Sequence, residues 1–145
     1  MKVKIKKIYD EAQIPKYAHP TDAGMDLYAV NRTCDEDENL VYGTGLAFEI
    51  PEGYVGLVFP RSSNAKKDLL MSNSVGVIDS GFRGEVKLKY KMLPTVNVNR
   101  PFQHYELGER IGQLIILPYP KIEFEEVDEL SESDRGEGGY GSTGK

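Results

Sequence analysis

Residues 135–145 read Arg-Gly-Glu-Gly-Gly-Tyr-Gly-Ser-Thr-Gly-Lys, a run of five glycines, two hydroxyl side chains, one arginine and one aromatic ring. That mixture suits a polyphosphate carried by a flat base. Glycines such as Gly141 let successive backbone N–H groups turn toward one anion, Ser142 and Thr143 add donors, and Arg135 offers a two-pronged fork for phosphate oxygens. Tyr140 supplies a ring to stack on whatever the phosphates carry. Gly139 to Lys145 also spells G-x-x-x-x-G-K, but the chain stops where a P-loop would continue into a Ser/Thr and a helix, so that reading is set aside. From composition alone a floppy tail is the commoner reading of such a terminus.

Four internal segments have a character that core strands do not need. Thr21-Asp-Ala-Gly-Met-Asp-Leu27 puts Asp22 and Asp26 around a glycine turn. Pro60-Arg-Ser-Ser63 sets the cation Arg61 beside the hydroxyls of Ser62 and Ser63. Gly76-Val-Ile-Asp-Ser-Gly-Phe-Arg-Gly-Glu85 is a hairpin holding Asp79, and Gly108-Glu-Arg-Ile-Gly-Gln113 opens an apolar strand. Each has a plain alternative. Asp22 and Asp26 can be turn acceptors, Arg61 can pair with a surface Glu, Asp79 can start the Asp-Ser-Gly turn, and Gln113 can face outward from a strand.

Composition narrows the function classes. With 145 residues and 39% hydrophobic content the chain is expected to form one core without disulfides or a metal clip. Cys34 is the single cysteine, and no apolar leader follows Met1-Lys-Val-Lys-Ile-Lys-Lys7, which together predict a soluble, cytoplasmic protein without membrane association. A net charge of −5 argues against nucleic acid as the ligand, because duplex binding needs clustered Lys and Arg. A free nucleotide remains open to it. His19 and His104 stand apart without a Cys or His at ligand spacing, which disfavours a zinc site or a histidine-based triad.

The elements that must position these residues read as strands. Val3, Ile5 and Ile8 are interleaved with Lys2, Lys4, Lys6 and Lys7, giving one strand with a solvated lysine face. Short apolar runs follow at Leu40–Ile50, Tyr54–Phe59, Ser74–Ile78, Glu85–Lys91, Arg110–Leu117 and Ile122–Val127, each bounded by turn residues. No window sustains a helical period, and the one helical turn is expected over Ser63–Lys67. The chain is therefore all-β, of the sandwich, barrel or jelly-roll type. Asp35–Glu38 reads as a solvated acidic loop. Residues 1–128 form the expected β domain, and the acidic stretch around Glu123–Asp134 makes 129–145 an arm that swings the glycine-rich tail away from its own core, within reach of a neighbouring subunit.

Together, in this order and spacing, the tail RGEGGYGSTG, the hairpin GVIDSGFRGE, PRSS, DAGMDL and GERIGQLII resemble the trimeric dUTPases, the deoxyuridine triphosphate nucleotidohydrolases, over Thr21–Gly144. The resemblance implies a jelly-roll-like β domain of the β-clip kind and a homotrimer with an exchanged C-terminal arm, each active site drawing on three subunits. It implies that Asp79 activates the attacking water and that Arg61, Ser62, Ser63 and Gln113 hold the phosphate chain. Arg135, Gly141, Ser142 and Thr143 would close over that chain from a third subunit. Mg²⁺ would ride on the triphosphate, with Asp26 touching its hydration shell. Attack on the α-phosphorus would give dUMP and pyrophosphate, limiting uracil in DNA and supplying dUMP for thymidylate.

Uracil would be selected by the hairpin from Asn73 to Phe82, where backbone groups of Gly76, Val77 and Ile78 copy a base-pairing edge and the Asn73 side chain contacts the base. A polar edge read this way rejects cytosine, whose amino group would face a donor. Phe82 would lie beneath the deoxyribose and Tyr140 over the ring. Three positions depart from the family pattern: Phe82 replaces the common tyrosine, Gly81 the common aspartate and Tyr140 the common phenylalanine. The aromatic changes keep a stacking face. Two other readings stand beside this one: a dCTP deaminase, a relative with an Arg-Ser-Ser element, and a dUTP-gated binding protein with a regulatory partner, if the chain is virus-encoded.

Overall fold

The structure, a computed structural model, describes residues 1–94 and 99–139. Ten strands and one 3-10 turn make up its regular elements: β1 (Lys4–Lys7), β2 (Met25–Tyr28), β3 (Asn31–Cys34), β4 (Asn39–Gly43), β5 (Leu46–Glu49), β6 (Tyr54–Phe59), β7 (Leu69–Met71), β8 (Gly76–Ile78), β9 (Lys87–Met92) and β10 (Arg110–Pro118). The 3-10 turn spans Ser62–Lys66, between β6 and β7. One four-stranded sheet runs β2-β10-β6-β8 and a second β3-β4-β9-β7, while β1 pairs with β5. Every pairing is antiparallel. No helix among the described residues is long and apolar enough to cross a membrane.

Alternation builds the core. In β9, Leu88 and Tyr90 turn inward while Lys87, Lys89 and Lys91 face water. Leu27, Val58 and Leu114 face them from the other sheet, with Leu46 and Phe48 closing one end. At the centre, Tyr42, Tyr90 and Tyr105 stack edge to face or tilted with ring centroids 5.7–6.0 Å apart. Each buried hydroxyl has an acceptor: Tyr42 donates to the Tyr105 carbonyl, Tyr90 to that of Ile111, and Tyr105 to Asn64 Oδ1. Left without acceptors, the buried hydroxyls would each cost about 1–3 kcal/mol.

The expected all-β class is what the chain adopts, with differences in detail. The Leu40–Ile50 run divides at Thr44-Gly45, where Gly45 takes φ +67° and the chain passes from one sheet to the pairing with β1. Thr44 is held there by donating to the Val86 carbonyl at 2.7 Å, and Glu85 accepts the Gly45 N–H at 2.9 Å. Three strands absent from the sequence reading, β2, β3 and β7, have only three or four residues each; β2 and β3 mix polar with apolar side chains, and the three apolar residues of β7 are too few to show a period. The expected run Ile122–Val127 forms no strand: beyond Pro118 it finds no strand partner among the described residues. Phe124 and Leu130 are 94% and 88% exposed there.

Candidate active site

Three loops and one strand meet at the edge where β2 runs beside β10. Gln113 sits directly opposite Asp26 in the β2–β10 register and opposite Phe59 in the β10–β6 register. Arg61 and Ser62 follow Phe59 by two and three residues, so the end of β6 delivers them to the same place. A cavity of about 430 Å³ opens here, lined by Asp22, Gly24, Asp26, Arg61, Ser62, Arg110 and Gln113 among others.

A β-bulge sets the side-chain directions. The β2–β10 register shifts between Arg110 and Gly112, so Arg110 pairs with Tyr28 and Gly112 with Leu27. The extra residue turns Arg110 and Gln113 both toward the cavity, while Ile111 and Leu114 both enter the core. Strict alternation would have separated them. Arg110 is a cavity-lining side chain that the sequence did not single out, because the motif carrying it reads as a regular strand.

Asp26 is the hub. Its Oδ1 accepts from Arg61 Nε at 2.7 Å and its Oδ2 from Arg110 Nη1 at 3.1 Å. Arg61 Nη1 reaches Ser63 Oγ at 3.0 Å. Gln113 Nε2 donates to the Pro60 carbonyl at 3.2 Å, and its Oε1 lies so close to Gly24 that a Cβ there would stand 2.7 Å away. Arg61 thus pairs with Asp26 and with no surface Glu. Asp22 has the turn role weighed for it, accepting the His19 N–H at 2.8 Å.

The hairpin forms a second cluster on the same sheet. Gly76, Val77 and Ile78 pair with Val58, Leu57 and Gly56, and the Asn73 amide lies against Gly76. The Asp79 carbonyl accepts the Phe82 N–H at 3.1 Å, closing the turn, and Arg83 braces it by donating to the Ser80 and Phe82 carbonyls. The Asp79 carboxylate is exposed and takes no hydrogen bond among the described residues. The Phe82 ring folds onto Gly84, where a Cβ would meet its Cζ at 2.7 Å.

One chain does not unite the two clusters. Gln113 stands opposite Phe59, whereas Asp79 follows Ile78, which stands opposite Gly56. Asp79 is therefore about 13 Å away along the strands and about 10 Å across two of them. Arg135 is exposed and donates locally to the Gly138 carbonyl at 2.8 Å, and Tyr140, Gly141, Ser142 and Thr143 lie outside the described residues.

For Mg²⁺ the donor set is decisive. No group of three or more His, Cys, Asp or Glu converges among the described residues, and both Asp26 oxygens already serve guanidinium groups. A dedicated protein cage is not what these residues make. Asp22 and Asp26 balance Arg61 and Arg110, so the cavity brings little net positive charge to a triphosphate, which fits a cation that arrives on the phosphates themselves.

The family model for dUTPase matches residues 10–144. The deoxyuridine 5'-triphosphate nucleotidohydrolase of Clostridium acetobutylicum is 43% identical over 144 residues, covering 98% of this chain and 96% of that protein. That of Nautilia profundicola is 42% identical over 149 residues, covering all of both. A mutant of the Staphylococcus bacteriophage 80alpha dUTPase, solved with dUpNHpp, superposes with TM-score 0.83 at 31% identity, covering 99% of each chain. A mutant dUTPase from phage phi11 of S. aureus, described with a structural Mg(II) ion, gives TM-score 0.75 at 25% identity over 91% of this chain and all of that one. With its motifs, its all-β architecture and these likenesses, the chain belongs to the dUTPase family.

Proposed function

We propose that this chain hydrolyses dUTP to dUMP and pyrophosphate, and so limits uracil incorporation into DNA and supplies dUMP for thymidylate synthesis. The observation that carries this reading is the cavity that gathers Arg61, Arg110, Ser62 and Gln113 around Asp26. Two guanidinium forks, a hydroxyl and a carboxamide suit a phosphate chain, and Asp26 fixes both forks in place. Arg61, Ser62, Ser63 and Gln113 hold the triphosphate. Asp26 would meet the water shell of a Mg²⁺ ion carried on the triphosphate, which would supply charge neutralisation at the phosphate oxygens.

Asp79 is the general base. Its exposed carboxylate is free to accept a proton from water, but a base must come within about 2.6–3.2 Å of that proton's oxygen, or act through one water. The separation within one chain exceeds this several-fold, so the hairpin that completes a cradle comes from another subunit. A homotrimer meets that need, with residues 129–145 reaching a third subunit and bringing Arg135, Tyr140, Gly141, Ser142 and Thr143 over the ligand. The unpartnered apolar side chains Ile122, Phe124 and Val127 support an arm that packs on a neighbour. At the hairpin, Asn73 and the Gly76–Ile78 backbone read uracil, and Phe82, seated on Gly84, lies under the deoxyribose.

Pyrophosphate release from dUTP, dCTP, dTTP and UTP, assayed in parallel with ammonia release from dCTP, tests the reading. Selective cleavage of dUTP is expected. Ammonia from dCTP would replace it with the deaminase reading, and cleavage of all four nucleotides would remove the hairpin from base selection.

A further inference from the structure

We propose that Tyr105 is a positioning residue that fixes the phosphate-holding turn from beneath, through Asn64. This rests on the functional reading above, in which Ser62 and Ser63 hold the triphosphate.

The turn Ser62–Lys66 is a single 3-10 element with no side-chain N-cap bond and no buried residue. Apolar packing therefore does not place it, and hydrogen bonds must. The side chain of Asn64, the middle residue, makes two: its Oδ1 accepts from the Tyr105 hydroxyl at 3.0 Å, and its Nδ2 donates to the Leu69 carbonyl at 2.9 Å. Tyr105 itself is a fixed point. It is 1% exposed, its ring packs between Tyr42 and Tyr90, and its N–H donates to the Tyr42 hydroxyl at 3.2 Å. Lys67, just past the turn, lies 4.8 Å above the same ring and donates to the His104 carbonyl. Burial pushes the Tyr105 phenol up from its ordinary value, against smaller opposing effects of Ser63 and Arg61, so it stays a neutral donor.

Thus a phenol in the core is joined to the residue after Ser63, on the turn whose Ser63 already accepts from Arg61. The sequence gives no hint of this, since Tyr105 lies forty-one residues from Asn64.

Tyr105→Phe removes one oxygen and keeps the ring. Loss of one hydrogen bond at the anchor is expected to raise KM for dUTP about 3- to 10-fold, with kcat changed less than about twofold because the hairpin base is untouched. A purely structural role would lower the melting temperature and leave KM of the remaining folded enzyme unchanged. Asn64→Ala should raise KM by at least as much, and the double variant should be no worse than Asn64→Ala alone, because both act through one bond. Unchanged KM in Tyr105→Phe, or additive effects in the double variant, would overturn the proposal. If wild-type protein does not cleave dUTP at all, the functional reading fails; calorimetric binding of inorganic pyrophosphate then decides the positioning role, weaker binding by Tyr105→Phe supporting it and equal binding sinking it.

Discussion

Gly24 is the position where a single methyl group should reach the site without touching the ligand. Its backbone lies outside the left-handed region, so alanine meets no φ penalty there, but the added Cβ would stand 2.7 Å from Gln113 Oε1, where ordinary contact begins at 3.4 Å. Something must yield by about 0.7 Å, the difference of those two distances, and the far end of a flexible side chain is the part that can. Holding the amide in place with a distorted χ angle costs about 0.5–1.5 kcal/mol. Letting it swing breaks its bond to the Pro60 carbonyl and forfeits a hydrogen bond to a charged phosphate oxygen, about 1.5–3 kcal/mol. In the free protein the amide can swing aside at the cost of its bond to the Pro60 carbonyl, whereas a bound phosphate calls it back against the methyl group, so the strain falls on the bound state. Gly24→Ala is therefore expected to weaken binding of a non-hydrolysable dUTP analogue about 2- to 12-fold, measured by calorimetry, with the melting temperature lowered by no more than the loss of that one bond. The same substitution made in a Gln113→Ala background should have no further effect, since the clash has lost its partner. Equal weakening in both backgrounds would refute the argument, because the methyl group would then act by some route other than Gln113.

Asp79→Asn keeps shape and binding but cannot take a proton, so kcat should fall roughly 10²- to 10⁴-fold; a melting temperature that drops instead would make Asp79 a turn residue only. Co-refolding inactive Asp79→Asn chains with inactive chains truncated before Arg135 should restore part of the activity, and verified mixed trimers without recovery would place hairpin and tail in one chain's site. Truncation before Arg135 by itself should leave folding and dUMP binding near normal while turnover drops by orders of magnitude, about 1–2 kcal/mol per tail residue being spent on ordering it over the triphosphate; unchanged turnover would leave the tail a passive terminus. Asp35, bonded first to Lys89 and then to the Asn39 backbone, is held at about 2, below its usual 3.8, so its contribution is complete above the usual value and is lost as pH falls through the lower one. Lys89→Ala should therefore move the Asp35 titration upward in an NMR pH series and raise the pH of acid unfolding; an unmoved titration would show that the lysine has no part in it.

How much of the fold was legible follows from which strands have two distinct faces. Tyr54–Phe59 and Lys87–Met92 could be read because each alternates or runs apolar between turn residues, and the helical turn was placed to within one residue. Met25–Tyr28 and Asn31–Cys34 could not, because four residues with a charge among them carry no period, and their strand character comes from their partners: Gln113 opposite Asp26 far along the chain, and Gly43 opposite Asn31 across a short turn. The Ile122–Val127 run shows the reverse failure. Its apolar side chains signal a surface that wants covering, which a sequence cannot distinguish from a strand paired within its own chain.

The site was legible in its residue types and illegible in its division. Short motifs marked Asp26, Arg61, Gln113 and Asp79 as chemistry, yet nothing in their spacing shows that the first three share a cavity while Asp79 stands at the far corner of the sheet. That division follows from antiparallel pairing. Phe59 at the end of β6 faces Gln113, and running back along β6 to Gly56 leads away from the cradle toward Ile78 and the hairpin. A strand long enough to span the core necessarily parts the residues at its two ends, so the more completely this domain buries its own core, the more firmly it separates Asp79 from the cavity of Arg61 and Gln113. In the proposed mechanism a second copy brings a hairpin to each cradle, so activity is expected to depend on association, and dilution below the dissociation constant of the assembly should abolish turnover before it unfolds the β domain.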